Sequence, residues 1–501
     1  MNSQYILAID QGTSSTKTLV FDEEGTAICK ASEPLRSIYP QAGYVEQDPE
    51  EIFQNVLLSV KACLQEFVKT GRELSDIKAC GISNQRETFV VWDKEGKPLH
   101  NAIVWQCKRS IGICESLKNK GLENYIRTKT GLLIDPYFSG TKLIWLYQND
   151  EDIRLAIDHG DAFFGTIDTW LVFRLTGRKK YVTDFTNASR TMFFNLSTLT
   201  WDPELLKTFG LFNLNLPECQ PSSSLLGDTD FMGALPSPVP ITAIIGDSHA
   251  AAFGEGCYTT GTAKATMGTG CSVLMNIGNK PRLSESGMVA TICWSTADTV
   301  QYALEGVIVS CGATLEWLKN ELGLFAHAGE IEAMARSVEN NGGVYLVPAF
   351  SGLGAPYWDM NRKASIEGLT FGNNKNHIVR AALESIPFQI RDVIDAMEED
   401  AGISLSQLMI DGGITSNKLV MELLKDLLQK PITNIGLPDV SALGAAYLAG
   451  LQAGIYKSLS HLEELNANQH VHHPSENDRI QTAYQEWRKI VTAGKSRVEN
   501  V

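Results

Sequence analysis

Three short stretches carry side chains able to move a proton or hold a phosphate. The first is Asp10-Gln11-Gly12-Thr13-Ser14-Ser15-Thr16-Lys17, between the apolar runs Ile6 to Ile9 and Thr18 to Phe21. A glycine and several hydroxyl residues in a turn between two strands can aim N–H groups and hydroxyls at an anion. Asp10, at the strand end, either holds Mg²⁺, directly or through water, or only begins the turn. The second stretch, Gly246-Asp247-Ser248-His249, follows the apolar Ile241 to Ile245 and opens an Ala-rich segment. An ionised Asp247 at a helix N-terminus can accept a proton from an attacking hydroxyl, or serve only as a cap. The third, Asp411-Gly412-Gly413-Ile414-Thr415-Ser416-Asn417, follows a strand. Its glycines admit a flat ligand close to the backbone, and Asn417 either bonds a base or ribose or caps the next helix.

A further turn, Gly268-Thr269-Gly270, lies between Ala263 to Met267 and Val273 to Asn276. It repeats the strand–turn–strand pattern of the first stretch about half a chain later. That suggests a duplicated architecture with a phosphate site between the halves. Arg86 and Glu87, in Asn84-Gln85-Arg86-Glu87-Thr88, can bind hydroxyls, and Trp105 and Tyr137 can face the C–H side of a polyol. Taken singly, each also reads as an ion pair, a core Trp or a turn Tyr. Neither common nucleotide signature is present. Gly494-Lys495-Ser496 has Lys489 where a Walker loop needs glycine, and Gly268-Thr269-Gly270 lacks the third glycine of a dinucleotide fingerprint.

The elements that must position these residues alternate in type. Apolar residues at 3–4 spacing predict helices over 50–69, 377–397 and 419–428, and apolar runs predict strands at 89–92, 343–347 and 408–411. The alternation predicts an α/β fold. A domain boundary is expected near 252–256, dividing the chain into 1–252 and 253–501, with the Pro-rich 235–240 as a surface connection.

The chain has 501 residues, ample for a sizeable core and for two to four domains. Its 44% apolar and 20% charged content is ordinary for a globular protein and excludes wholesale disorder. The net charge of −15 argues against nucleic-acid binding, which needs a basic face. The ten cysteines form no CxxC pair, so they read as reduced thiols, not as a disulfide scaffold or zinc ribbon. His470, His472 and His473 read as a solvated loop in a polar stretch. With no signal-peptide pattern and no run near ~20 apolar residues, no membrane insertion is expected and a cytoplasmic location is.

Taken together, the segments resemble the FGGY carbohydrate kinases, and within them the branch that phosphorylates glycerol. The resemblance rests on Ala8 to Thr13, Tyr44 to Pro49, Ser83 to Thr88, Asn101 to Cys107 and Asp135 to Lys142. It continues through Thr186 to Met192, Tyr302 to Gly306, Gly352 to Asp359 and Ala442 to Gly450, so it runs from about 5 to 455. It implies two actin-like (ribonuclease H-like) α/β domains with ATP and substrate in the cleft between them. The implied reaction moves the γ-phosphoryl group of ATP, with Mg²⁺, to a terminal hydroxyl of a small polyol.

The resemblance also implies roles. Asp247 is the expected general base, and Asp10, with Asp247, the expected Mg²⁺ carboxylates. Gly12, Thr13, Ser14, Ser15 and Lys17 would hold phosphates with Gly268, Thr269 and Gly270. Gly312, Glu316, Gly412, Gly413 and Asn417 would line the adenosine site. Arg86, Glu87, Trp105, Tyr137, Asp247, Ser248, His249 and Ser272 would surround the polyol. A homodimer or homotetramer is expected.

Two departures fall in that pocket. Ser248 stands where the glycerol branch typically has Gln, and Ser272 where it has a Phe. Both widen the pocket and make it more polar, which raises a four- or five-carbon polyol or ketose as the alternative substrate. The other alternative is a non-catalytic, nucleotide-binding regulatory member of the actin-like superfamily.

Overall fold

Each of the two strand–turn–strand motifs lies at the centre of its own β-sheet. The computed structural model describes residues 4–434, 436, 438–466 and 470–493. The first sheet holds β1 (Tyr5–Gln11), β2 (Ser15–Phe21), β3 (Ala27–Pro34), β4 (Ile77–Asn84), β5 (Ser223–Thr229) and β6 (Val239–Gly246). Their order is β5-β6-β4-β1-β2-β3. β6, β4 and β1 run parallel, while β1, β2 and β3 form an antiparallel meander.

The second sheet holds β7 (Thr262–Met267), β8 (Cys271–Gly278), β9 (Val289–Ser295), β10 (Val300–Ile308), β11 (Gln407–Asp411), β12 (Ile432–Asn434) and β13 (His470–His472). Their order is β9-β10-β8-β7-β11-β12-β13. Again a central hairpin, β7–β8, has antiparallel strands on one side and parallel β11 and β12 on the other. The two sheets therefore repeat one plan, as the paired turns suggested. β13 corrects one expectation: 470–472 is an edge strand pairing with β12, not a loop.

The helices follow the expected periodicity. α1 (Pro49–Lys69) starts at Asp48, whose carboxylate accepts the Glu50 N–H at 2.8 Å, and Pro49 sits where no N–H is needed. Its buried stripe, including Ile52, Phe53, Val56, Val60 and Phe67, belongs to the core of the first sheet. α2 (Asp247–Gly254) continues directly from β6 and runs across residue 252. α3 (Gly312–Asn320), α4 (Lys375–Ala401) and α5 (Lys418–Leu428) belong to the second half.

α6 (Val440–Gln452) does something the sequence does not reveal. It lies against β1, β4, β6 and α2 and so covers the first sheet from the second half of the chain. Close approach makes this possible: a Cβ on Gly444 would fall 1.8 Å from the Ala250 carbonyl oxygen. A single apolar cluster then joins both halves, with Ile6, Ala8, Ala79 and Ile245 from the first sheet, Leu274, Trp294 and Met409 from the second, and Ala442 to Ala449 of α6.

A smaller four-stranded sheet (Glu46–Gln47, Phe89–Trp92, Ala102–Ile103 and Phe163–Thr166) has its own core, with Trp105 and Tyr137 at the margin. No helix among the described residues is long and apolar enough to cross a membrane.

Candidate active site

The carboxyl ends of three parallel strands lie side by side, the usual place for a ligand site in an open α/β sheet. Asp10 on β1 is opposite Ser83 on β4, and Gly246 on β6 is opposite Asn84 on β4. The chain leaves these ends through Asp10, Arg86-Glu87 and Asp247. The Ser83 hydroxyl donates to Asp10 Oδ1 at 3.1 Å. Burial and then the nearby Asp247 carboxylate push the Asp10 carboxyl up to about 6, against the pull of Lys17. Asp247 opens α2, its Oδ1 accepts the Ser248 N–H at 2.6 Å, and its side chain is 38% accessible. It is therefore both fixed and reachable.

Behind Asp247 lies a buried chain of charges that crosses from one sheet to the other. Arg86 Nε is 3.3 Å from Asp247 Oδ1, and its Nη2 donates to Glu305 Oε1 at 2.9 Å. Arg190 Nη2 lies 2.8 Å from Glu305 Oε2 as an ion pair without hydrogen-bond alignment. Arg190 Nε donates to Glu87 Oε1 at 2.5 Å. Burial alone would raise the Glu305 carboxyl, but Arg190 and Arg86 hold it below the usual carboxylate range. At Glu87 burial prevails over the same two guanidiniums and the carboxyl is raised. Glu87 also adopts φ +59°, uncommon for a residue with a Cβ, a local strain of the kind found at functional sites. Nη1 of both Arg86 and Arg190 is buried with no hydrogen-bond partner among the described residues.

The expected polyol residues gather here. The Trp105 indole donates to Thr13 Oγ1 at 2.9 Å, and its ring meets Tyr137 edge-on at 5.5 Å. Thr13 thus faces Trp105 as well as belonging to the first turn. His249 is fully buried beside Gly246 and Arg86, with Nε2 3.4 Å from Thr291 Oγ1 and Nδ1 unpartnered. Burial and then Arg86 push its imidazole well below the usual range, so the ring is neutral. Ser248 Oγ is buried without a partner, while Ser272 Oγ donates to Glu305 Oε1 at 3.3 Å.

The nucleotide-side residues divide between the β1–β2 turn of the first sheet and the β7–β8 turn, α3 and the end of β11 in the second half. In the first turn the Gly12 N–H donates to the Ser15 carbonyl and the Ser14 carbonyl accepts from Leu35. In the second, the Gly268 N–H donates to the Gly270 carbonyl, and Cys311 and Gly312 at the start of α3 donate to the Thr269 and Gly268 carbonyls. Gly412, directly after β11, takes φ +93° and a Cβ there would lie 2.4 Å from the Met267 carbonyl oxygen. Gly413 starts the short turn Gly413–Ser416, and Asn417 Oδ1 caps α5 by accepting the Val420 N–H at 3.1 Å. Glu316 accepts from Asn320 one turn along α3. Lys17 Nζ pairs with Asp439 Oδ1 at 2.8 Å, beside Lys30 on the same carboxylate. Gly494-Lys495-Ser496 lies outside the described residues.

Arg190 and Glu305 were not singled out from the sequence, although a signal existed. A lone Glu inside the apolar strand Tyr302-Ala303-Leu304-Glu305 must have a buried partner, since such charges are almost never fully buried unless paired. Among the described residues no group of three or more His, Cys, Asp or Glu side chains is placed to hold a metal. Asp10 beside Asp247 fits a cation that keeps most of its ligands from water and phosphate, since the Asp247 carboxylate lies close enough to raise the Asp10 carboxyl.

Residues 5–254 match the N-terminal domain, and 263–453 the C-terminal domain, of the FGGY family of carbohydrate kinases. A glycerol kinase of Thermoanaerobacter sp. (strain X514) is 46% identical over 491 residues, covering 98% of each chain. One of Symbiobacterium thermophilum is 48% identical over 465 residues, covering 93% of each. The crystal structure of Plasmodium falciparum glycerol kinase with ADP superposes with a TM-score of 0.92 at 38% identity over 98% of each chain. The fold is α/β, two actin-like (ribonuclease H-like) domains about a cleft, as the sequence led one to expect. With its fold, its strand-end carboxylates and both halves matched, the chain belongs to the FGGY family of carbohydrate kinases.

Proposed function

We propose that the protein is an ATP-dependent kinase that phosphorylates a terminal hydroxyl of glycerol, giving glycerol 3-phosphate and ADP. The observation that carries this reading is Asp247: a half-accessible carboxylate at a strand end, backed by a buried guanidinium with a free donor. Asp247 accepts the proton as the hydroxyl oxygen bonds to the γ-phosphorus and the bond to the ADP oxygen breaks. Arg86, Glu87, Trp105 and Tyr137 orient the polyol, the charged pair on its hydroxyls and the rings on its carbons. The turns at Gly12–Ser15 and Gly268–Gly270 hold phosphates, and Gly312 with Gly412–Asn417 borders the adenosine. Because phosphoryl transfer has a loose transition state, alignment and charge neutralisation supply most of the rate. Asp10 and Asp247 would hold Mg²⁺, which would supply neutralisation of the phosphate charge. Closure of the cleft excludes water, so ATP is not hydrolysed in place of transfer.

A second reading, a four- or five-carbon polyol or ketose, is favoured by the unpartnered Ser248 Oγ. Against it, the Ser272 hydroxyl is already committed to Glu305. The deciding experiment is kcat/KM with Mg-ATP for glycerol, dihydroxyacetone, erythritol, threitol, xylitol, ribitol and the pentuloses. Glycerol leading supports the first reading. A C4 or C5 compound ahead by tenfold, about 1.4 kcal/mol in the transition state, replaces it with the second. We also infer two domains divided near 252, a cytoplasmic location and a homodimer or homotetramer, supported by the resemblance and, for the assembly, measurable by light scattering.

A further inference from the structure

The buried charges behind Asp247 do more than hold Arg86. Arg86 leaves the end of β4 in the first sheet, whereas Glu305 lies on β10 in the second. Their bond at 2.9 Å therefore ties the two halves together at the acceptor pocket, with side-chain exposures of 7% and 2%. The connection continues. Glu305 Oε1 also accepts from Ser272 Oγ, and Ser272 stands on β8 two residues after Gly270. Opposite Ser272 across the hairpin is Thr266, which is itself opposite Asp411, the residue before Gly412. One oxygen, Glu305 Oε1, thus receives a donor from the acceptor side and a donor from the strand that leaves the phosphate turn.

We propose that Glu305 and Ser272 are positioning residues that couple the polyol pocket to the nucleotide turn, so that each substrate tightens the binding of the other. The proposal rests on the polyol-kinase reading above. The physical argument is that a polyol oxygen taking the free Arg86 Nη1 donor fixes the guanidinium. A fixed guanidinium fixes Glu305, and Glu305 holds Ser272 and the turn before it. An ordering cost met once by the first ligand is not met again by the second, and by linkage the effect is reciprocal. The Arg86–Glu305 bond is buried, so water cannot substitute there for a lost partner, while the Ser272–Glu305 bond is part-buried.

The test compares Mg-ADP affinity, by calorimetry, without and with a saturating amount of whichever polyol gives the highest kcat/KM. For the wild-type protein the polyol is expected to tighten Mg-ADP by about fivefold or more. Ser272→Ala and Glu305→Gln are expected to bind Mg-ADP alone within about twofold of wild type, while the polyol's tightening falls to about twofold or less. Ser272→Thr, which keeps the hydroxyl, is expected to restore it. A purely structural role for these residues would lower stability without changing that ratio. Ser272→Ala carries the test alone if Glu305→Gln does not fold, since it removes only one hydroxyl. A wild-type ratio in either folded variant overturns the coupling, as does a wild-type ratio near one in an enzyme that turns over. Absence of polyol phosphorylation by the wild-type protein instead overturns the functional reading, and the coupling with it.

Discussion

Replacing Asp247 by Asn removes the proton acceptor while keeping the side chain's contacts within the protein. Asp247 Oδ1 accepts from the Ser248 N–H and faces Arg86 Nε, and an Asn carbonyl oxygen can keep both contacts. The side chain is 38% accessible, so losing its charge should change stability by no more than about 1 kcal/mol. Arg86 retains Glu305, so no buried charge is left without a partner. What disappears is the basic carboxylate. General base catalysis typically contributes about 10²–10⁴-fold, equivalent to about 3–5 kcal/mol of barrier. Asp247→Asn is therefore expected to lower kcat by about two to four orders of magnitude, with Tm and the affinity for metal-free ADP near wild type. The assay is coupled ADP release, with ³¹P NMR to confirm the phosphorylated polyol, calorimetry for metal-free ADP and a thermal melt. A folded variant whose kcat stays within tenfold of wild type refutes the base assignment. So does a loss of turnover matched by an equal loss of nucleotide binding.

Three other perturbations follow from the same geometry. Arg190→Met strips both Glu87 and Glu305 of a buried partner and is expected to cost about 3–5 kcal/mol of stability, read by denaturant unfolding; a loss under about 1 kcal/mol would mean the chain of charges is not a connected unit. Asp10 has its carboxyl raised to about 6 by burial and by Asp247, so its ionisation opposes folding: the stabilising contribution is present below about pH 4 and lost as pH rises through about 6. Asp10→Asn should therefore melt with wild type at pH 4 and above it at pH 8, by about 1–2 kcal/mol after solvent screening of a partly accessible group, whereas equal stability at pH 8 would contradict the raised value. Gly412→Ala places a Cβ 2.4 Å from the Met267 carbonyl and should raise the ATP KM by about tenfold with little change in the polyol KM, and an unaltered ATP KM would remove Gly412 from the nucleotide site.

Local chemistry was legible in the sequence, and long-range pairing was not. The hairpins around Asp10 and Gly268, the strand ending at Gly246 and the helices over 50–69 and 419–428 all stand where period and turn residues put them, because those signals act within a few residues. Spacing alone left Asn417 undecided between ligand and cap, and its carboxamide caps α5. The resemblance implies a phosphate role for Lys17, and no local pattern announces the Asp439 carboxylate, 422 positions away, that its ammonium meets. Glu305 and Arg86 are 219 positions apart, and no local pattern announces that a strand in one half completes the pocket of the other. Residues 470–472 read as a polar loop because edge strands need little apolar character, and the backbone pairing of β12 with β13 decides their structure.

The placement of α6 bears on how the protein is made. The six strands of the first sheet are complete once Gly246 has been synthesised, but the helix that covers one face of them begins at Val440. At ribosomal speeds of about 5–20 residues per second, those strands wait roughly 10–40 s for their cover. During that interval Ile6, Ala8, Ala79 and Ile245 of the nascent chain have no α6 to pack against. The wait is a window for chaperone capture, and it sets a limit on dissection. The first half released on its own would carry an unsealed apolar face, and adding residues 440–452 in trans should be what restores its solubility.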